Sequence, residues 1–210
     1  MRSGQRVMDN EVERTRFAAI GTMGDLHAEA ARYDLEALSQ VAGSLAPDLL
    51  CLEVACAAWE AGAVGQAPLP IRAALAPVAE RSNIVIVPVG VDPREHTVLG
   101  PSAGWRAALA RALESAHRLV QKRASARTIN GVWYGAFCHS LCALQEAAWT
   151  PEARAAWQAE TTAMLANVLA AIRRDPGRRV LLAAQCQRKH WLETRLRREA
   201  GVEVVDYWEL

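Results

Sequence analysis

Five ionisable residues stand in or just past short apolar runs. Asp25 and His27 follow residues 17–21, Glu53 lies in the run 49–54, Asp92 follows 83–90, and His190 follows 180–184. Each residue type has chemistry to offer at such a place. An imidazole titrates near neutrality, so His27 or His190 could act as a general base or a metal ligand. The competing assignments are a surface loop histidine for His27 and a histidine at a helix N-terminus for His190. A carboxylate in an apolar run is expensive to bury alone, so Glu53 must be paired or functional. Beside His190, Arg188 and Lys189 could hold an anionic group of a substrate at a helix N-terminus, or form a solvated basic turn. Asp92 is a further acid at a strand's carboxyl end.

These positions make sense together only if strands bring them to one edge. The run 17–21 breaks into a loop of small and polar residues and reads as a strand feeding a loop feeding a helix. In α/β proteins that junction opens into the ligand crevice. Apolar residues at near-helical spacing predict a helix over 28–45. The run 49–54 is apolar except for Glu53 and suits a strand buried on both faces. A short helix over 71–81 precedes the β-branched strand 83–90. From 105 to 173 the pattern is almost wholly helical, with segments at 105–122, 134–148 and 151–173. The last of these is opened by Thr150 as cap and Pro151 at the first position. A strand at 180–184, a helix at 190–200 and a last strand at 202–207 close the chain. The prediction is an α/β fold: a mostly parallel central sheet flanked by helices, with a helical insertion at about 104–175 before the last two strands. Residues 1–16 read as a flexible leader and 17–210 as a single domain.

Bulk properties narrow the function classes. The chain is 210 residues long, 51% hydrophobic and 22% charged, which is the composition of a folded domain. A formal net charge of +1 provides no field for nucleic acid or membrane surfaces. The N-terminal stretch has no apolar segment of a signal peptide, and no run reaches the length of a membrane span. The expected setting is cytoplasmic. The five cysteines suit reduced thiols, and the pairs Cys51/Cys56 and Cys138/Cys142 lack the spacing of a zinc knuckle.

The strand ends form a set that resembles the TraB/Tiki superfamily, which also takes in ChaN-like and erythromycin-esterase-like proteins. Gly24-Asp-Leu-His27 matches a Gly-x-x-His motif, Glu53 matches the acidic position, and Gln187-Arg-Lys-His190 matches a second motif with Gln in place of Gly. Glu160 or Thr161 stands where that pattern has an Arg. The resemblance covers about residues 17–56, 78–93 and 150–208. It implies one cleft lined by Asp25, His27, Glu53, Asp92 and His190, and hydrolysis of an amide or ester in a small-molecule or peptide substrate, in peptide or natural-product processing. In one version His27, Glu53 and His190 hold a divalent ion (manganese, cobalt or zinc) that acidifies a bound water, and Asp25 takes the proton. In the other, Glu53 orients His27, which activates water directly. The alternative is a catalytically degenerate ligand-binding or scaffold protein of the same fold. Haem binding, known among ChaN-like proteins, has no axial pair to recommend it here.

The remaining candidates are weaker. His139 and Cys142 can share a helix face at i and i+3, but two ligands do not make a metal site, and packing by Leu141 and the thiols is the simpler account. Cys138 or Cys142 as a nucleophile beside His139 is disfavoured, because adjacent helical residues point apart. His96 and His117 read as surface residues. Of the seven tryptophans, Trp105, Trp133, Trp149 and Trp157 fall in the helical block. They suit core packing, and otherwise a substrate cleft or a homo-oligomer interface.

Overall fold

Apolar runs separated by helices assemble into a sheet covered on both faces. The computed structural model describes residues 14–91 and 104–210. Its strands are β1 (Thr15–Thr22), β2 (Leu49–Ala55), β3 (Val85–Gly90), β4 (Arg179–Gln185) and β5 (Val202–Val204). They form one sheet in the order β3-β2-β4-β1-β5, and every pairing is parallel. The strand that comes fourth in sequence therefore lies at the centre. The edge strand β3 carries Pro88, whose missing N–H is tolerated where one side has no neighbour.

Side chains alternate between two cores with period two. Ala18, Ile20, Leu50, Leu52, Leu181 and Ala183 face one side, under Leu38 and Ala42 of α1 (Leu35–Leu45). Phe17, Ala19, Leu49, Cys51, Val180 and Leu182 face the other. There they meet Met164, Val168 and Ile172 of α7 (Pro151–Arg174) and Leu192 and Leu196 of α8 (Cys186–Leu196). The remaining α-helices are α2 (Cys56–Glu60), α3 (Ala76–Glu80, continuing a π-helical turn Ile71–Leu75), α4 (Gly104–Arg123), α5 (Ala126–Asn130) and α6 (Val132–Ala148). Helices α4 to α7 are the expected helical block before the last two strands. Thr150 caps α7 as expected, its hydroxyl accepting the Ala153 N–H at 3.2 Å.

Two helix starts differ from expectation by four residues or more, and both matter for the site. The helix expected from residue 28 begins at Leu35, because Asp34 in an extended conformation caps it through the Ala37 N–H at 2.8 Å. Residues Gly24–Ala28 form a 3-10 turn instead. The helix expected from residue 190 begins at Cys186, directly off β4, with no intervening loop. Of the tryptophans, Trp157 is buried, but Trp105 and Trp133 are 73% and 90% exposed. No helix among the described residues is long and apolar enough to cross a membrane.

Candidate functional site

The carboxyl ends of the central strands open into two cavities, and Gln185, the last residue of β4, stands in the wall of both. The larger, about 440 Å³, is lined by Glu53, Glu160, Arg188 and small or apolar residues including Val54, Ala55, Ala67 and Pro68. The smaller, about 300 Å³, is lined by Thr22 to Leu26, by Glu114, His117 and Gln121 of α4, and by Cys186.

Glu53 is in the first of these and is paired, as its apolar run requires. Its Oε1 accepts Arg188 Nη1 at 2.9 Å and its Oε2 accepts the Gln185 N–H at 2.7 Å. Arg188 reaches on through Nη2 to Glu160 Oε2, also at 2.9 Å. One guanidinium thus bridges two carboxylates, and all three side chains are about seven-eighths buried. The third donor, Arg188 Nε, is buried with no hydrogen-bond partner among the described residues. Burial pushes the Glu53 carboxyl above its ordinary value; Arg188 and the Gln185 N–H pull it back without reversing the rise. Arg188, expected to hold an anionic group of a substrate, has Nη1 and Nη2 committed to carboxylates of this chain.

His27 corrects the expectation of a base or ligand. The ring is wholly buried. Nε2 accepts the Met23 N–H at 3.0 Å, which leaves the proton on Nδ1 to be donated to the Tyr33 carbonyl at 2.7 Å. Both nitrogens are thereby committed to backbone, and burial lowers the pKa so that the ring is kept neutral. Tyr33 packs edge-on against it, with centroids 4.9 Å apart. His27 pins the turn after β1. Asp25, two residues earlier, is exposed at the rim of the smaller cavity.

His190 lies elsewhere. Because α8 starts at Cys186, His190 is one turn inside the helix, packed against Gly135 of α6 and with His139 at 5.5 Å between centroids. It lines a separate cavity of about 310 Å³ with Lys189, Glu193 and Asp206. Burial lowers its pKa as well. Lys189, expected on a basic turn, is buried and donates to Glu193 Oε1 at 2.8 Å within the helix. His27, Glu53 and His190 are therefore not brought together, and the expected three-residue ion site does not form. Asp92 and His96 lie outside the described residues.

Sequence reasoning missed a different group. His117, expected at the surface, is 3% exposed. Its ligand atoms, with the thiols of Cys138 and Cys186, lie within 4.8 Å of one another, and this group could hold a metal ion. His117 Nε2 is 2.7 Å from the Tyr134 hydroxyl and 3.9 Å from Cys138 Sγ. Gln121 Nε2 donates to Cys186 Sγ at 2.9 Å. Gly21 admits Cys186 to the sheet edge, since a Cβ there would stand 3.0 Å from Cys186 Cβ. The neighbouring Cys138 and His117 side chains pull the Cys186 thiol below its ordinary value, against the opposing effect of burial. Cys138, whose Sγ donates to the Cys186 carbonyl at 3.6 Å, is pushed up by the neighbouring Cys142 and Cys186 thiols and by burial. The signal in the sequence was helical phase. Buried positions on α6 run Tyr134, Cys138, Leu141, Cys142, Gln145, which puts Cys138 on the inner face and His139 off it.

Comparison of the chain with family models, with curated proteins and with solved structures finds no match.

Proposed function

We propose that the chain hydrolyses an ester or amide bond in the cavity of about 440 Å³, with Glu53 as the acid–base group. The observation that carries this is the state of Glu53: a buried carboxyl of raised pKa, at the carboxyl end of a parallel strand, in the wall of a largely apolar cavity. In this reading Glu53 takes a proton from a water as the water oxygen bonds to the substrate's carbonyl carbon. It then returns that proton to the leaving oxygen or nitrogen as the old bond breaks. Arg188 is the cation of the same wall and offers charge to the oxygen that becomes negative.

The ion implied by the resemblance does not fit the residues expected to hold it. His27 has no free nitrogen, Glu53 is shared between Arg188 and the Gln185 N–H, and His190 lines another cavity. Manganese or cobalt at Glu53 and Glu160 would have to displace Arg188 from both carboxylates. No step of the reaction is routed through an ion here. Zinc suits the separate group of His117, Cys138 and Cys186.

The test is turnover of a panel of chromogenic esters and aminoacyl anilides by wild type and Glu53→Gln. Loss of at least about 100-fold in kcat, in a variant that keeps the folded far-UV CD spectrum, is the expected result. Equal turnover by the two proteins would exclude Glu53 as the acid–base group. A second reading, a ligand-binding protein of the same fold, draws on the fact that both Glu53 oxygens already have partners. It expects substrates to bind without turning over.

A further inference from the structure

The helical block meets the sheet edge at three side chains that the chemistry at Glu53 leaves unused. His117 comes from the middle of α4, Cys138 from α6, and Cys186 is the first residue of α8. All three are buried, and their ligand atoms lie within 4.8 Å of one another. In a tetrahedral zinc site, bonds of about 2.3 Å to sulfur and about 2.0 Å to nitrogen set ligand atoms about 3.5 to 3.8 Å apart. His117 Nε2 and Cys138 Sγ already stand at 3.9 Å. Closing the group around an ion therefore requires about 1 Å of movement or less.

The donor set selects the ion. Two thiols with one imidazole favour a thiophilic metal over manganese, magnesium or calcium. Two thiolates and a neutral imidazole around a divalent ion make a neutral unit, which can stay buried without a counter-charge. Gln121, donating to Cys186 Sγ at 2.9 Å, is the kind of outer partner that steadies a coordinated thiolate. The Tyr134 hydroxyl, 2.7 Å from His117 Nε2, would turn away as the ion takes that nitrogen. His117 and Cys186 also line the cavity of about 300 Å³ that Glu114 and Asp25 share. A fourth ligand can enter from that side. Three protein ligands with one open position is the pattern of catalytic rather than structural zinc.

We propose that His117, Cys138 and Cys186 bind one zinc ion per chain, with water or a small anion from the adjoining cavity as fourth ligand. The ion ties α4 and α6 to the start of α8. Zinc binding here and hydrolysis at Glu53 are independent, and either can fail alone.

The test uses the full chain, held reduced by a phosphine, stripped of metal, and titrated with zinc and in parallel with cobalt(II). One equivalent should bind. The cobalt form should show thiolate charge-transfer absorption and intense tetrahedral d–d bands, and azide should shift those bands by entering the fourth position. Cys138→Ser and Cys186→Ser should each weaken binding at least about tenfold, as loss of a ligand must exceed loss of an outer partner, while Cys56→Ser should not. A folding defect in a variant does not blunt the test, because the wild type carries its own readout. Under mild denaturant, where the metal-free chain labels at Cys138 and Cys186, zinc should protect those two thiols, but not the exposed Cys56, from iodoacetamide. The proposal is overturned by absence of the thiolate-to-cobalt band, by cobalt bands that azide leaves unmoved, or by zinc uptake that leaves labelling of Cys138 and Cys186 unchanged. A Cys138–Cys186 disulfide that survives the phosphine would overturn it too.

Discussion

Burial acts on Glu53 and His27 in opposite directions, and each leaves a mark on stability. The Glu53 carboxyl is raised in the folded chain, so between pH 4.5 and that raised value the folded state holds more protons than the unfolded one. Its contribution is fully present below pH 4.5 and is lost as pH rises through the folded value. Urea unfolding across pH should show this decline in wild type and a flatter curve in Glu53→Gln. His27 is lowered from 6.5, so its contribution is present above pH 6.5 and is lost as pH falls through the depressed folded value. His27→Ala should cost about 3 kcal/mol, because the Met23 N–H and the Tyr33 carbonyl would be buried without partners. The same urea series measures it; a cost under about 0.5 kcal/mol, the scale of an ordinary surface change, would contradict the pinning role. Glu53 was legible in the sequence, because a carboxylate inside an apolar run has few tolerable fates. His27 was legible as a residue of interest and not in its role, since spacing places a side chain on a turn without fixing which way its ring points.

At the scale of elements, strands were legible, as was the start of α7 at Thr150-Pro151, and the starts of α1 and α8 were not. Apolar runs bounded by Gly, Pro and Asp gave all five strands to within a few residues, except that the last is shorter than expected. The start of α8 was missed because Cys186-Gln-Arg-Lys carries no cap residue; the helix simply continues β4. That four-residue difference turns His190 away from the sheet edge and puts Cys186 there. The ends of β2 and β3 depend on a close approach that only glycine allows. A Cβ on Gly90 would stand 2.7 Å from the Val54 nitrogen and 2.8 Å from its carbonyl carbon. These are backbone atoms, so no rotamer change relieves the clash. Gly90→Ala should destabilise by about 2 kcal/mol or more by denaturant unfolding. It should also weaken substrate binding, because Gly90 and Val54 line the Glu53 cavity.

Across the whole molecule, topology decides which chemistry can meet. Placing β4 at the centre sets its end between two cavities, with Glu53 and Arg188 on one side and Cys186 with His117 on the other. The sequence showed the alternation that builds such a sheet; it did not show strand order, and so could not show that His27, Glu53 and His190 part company. Nor could it show that α4 folds His117 inward to two thiols. If zinc joins the helical block to the sheet, zinc at about 100 times Kd should add about 2.7 kcal/mol of stability and raise Tm by about 5 °C or more. Calorimetry with and without the ion would detect that shift, and an unchanged Tm would count against the link. The claim at the centre of the account is that Glu53 moves the proton in hydrolysis. Its most direct measurement is kcat/KM against pH for wild type and Glu53→Gln on the best ester or amide substrate. Wild type should show an acid limb with its midpoint above 4.5, and the variant a rate at least about 100-fold lower with that limb gone. A Glu53→Gln protein with the wild-type rate and the wild-type profile would contradict it.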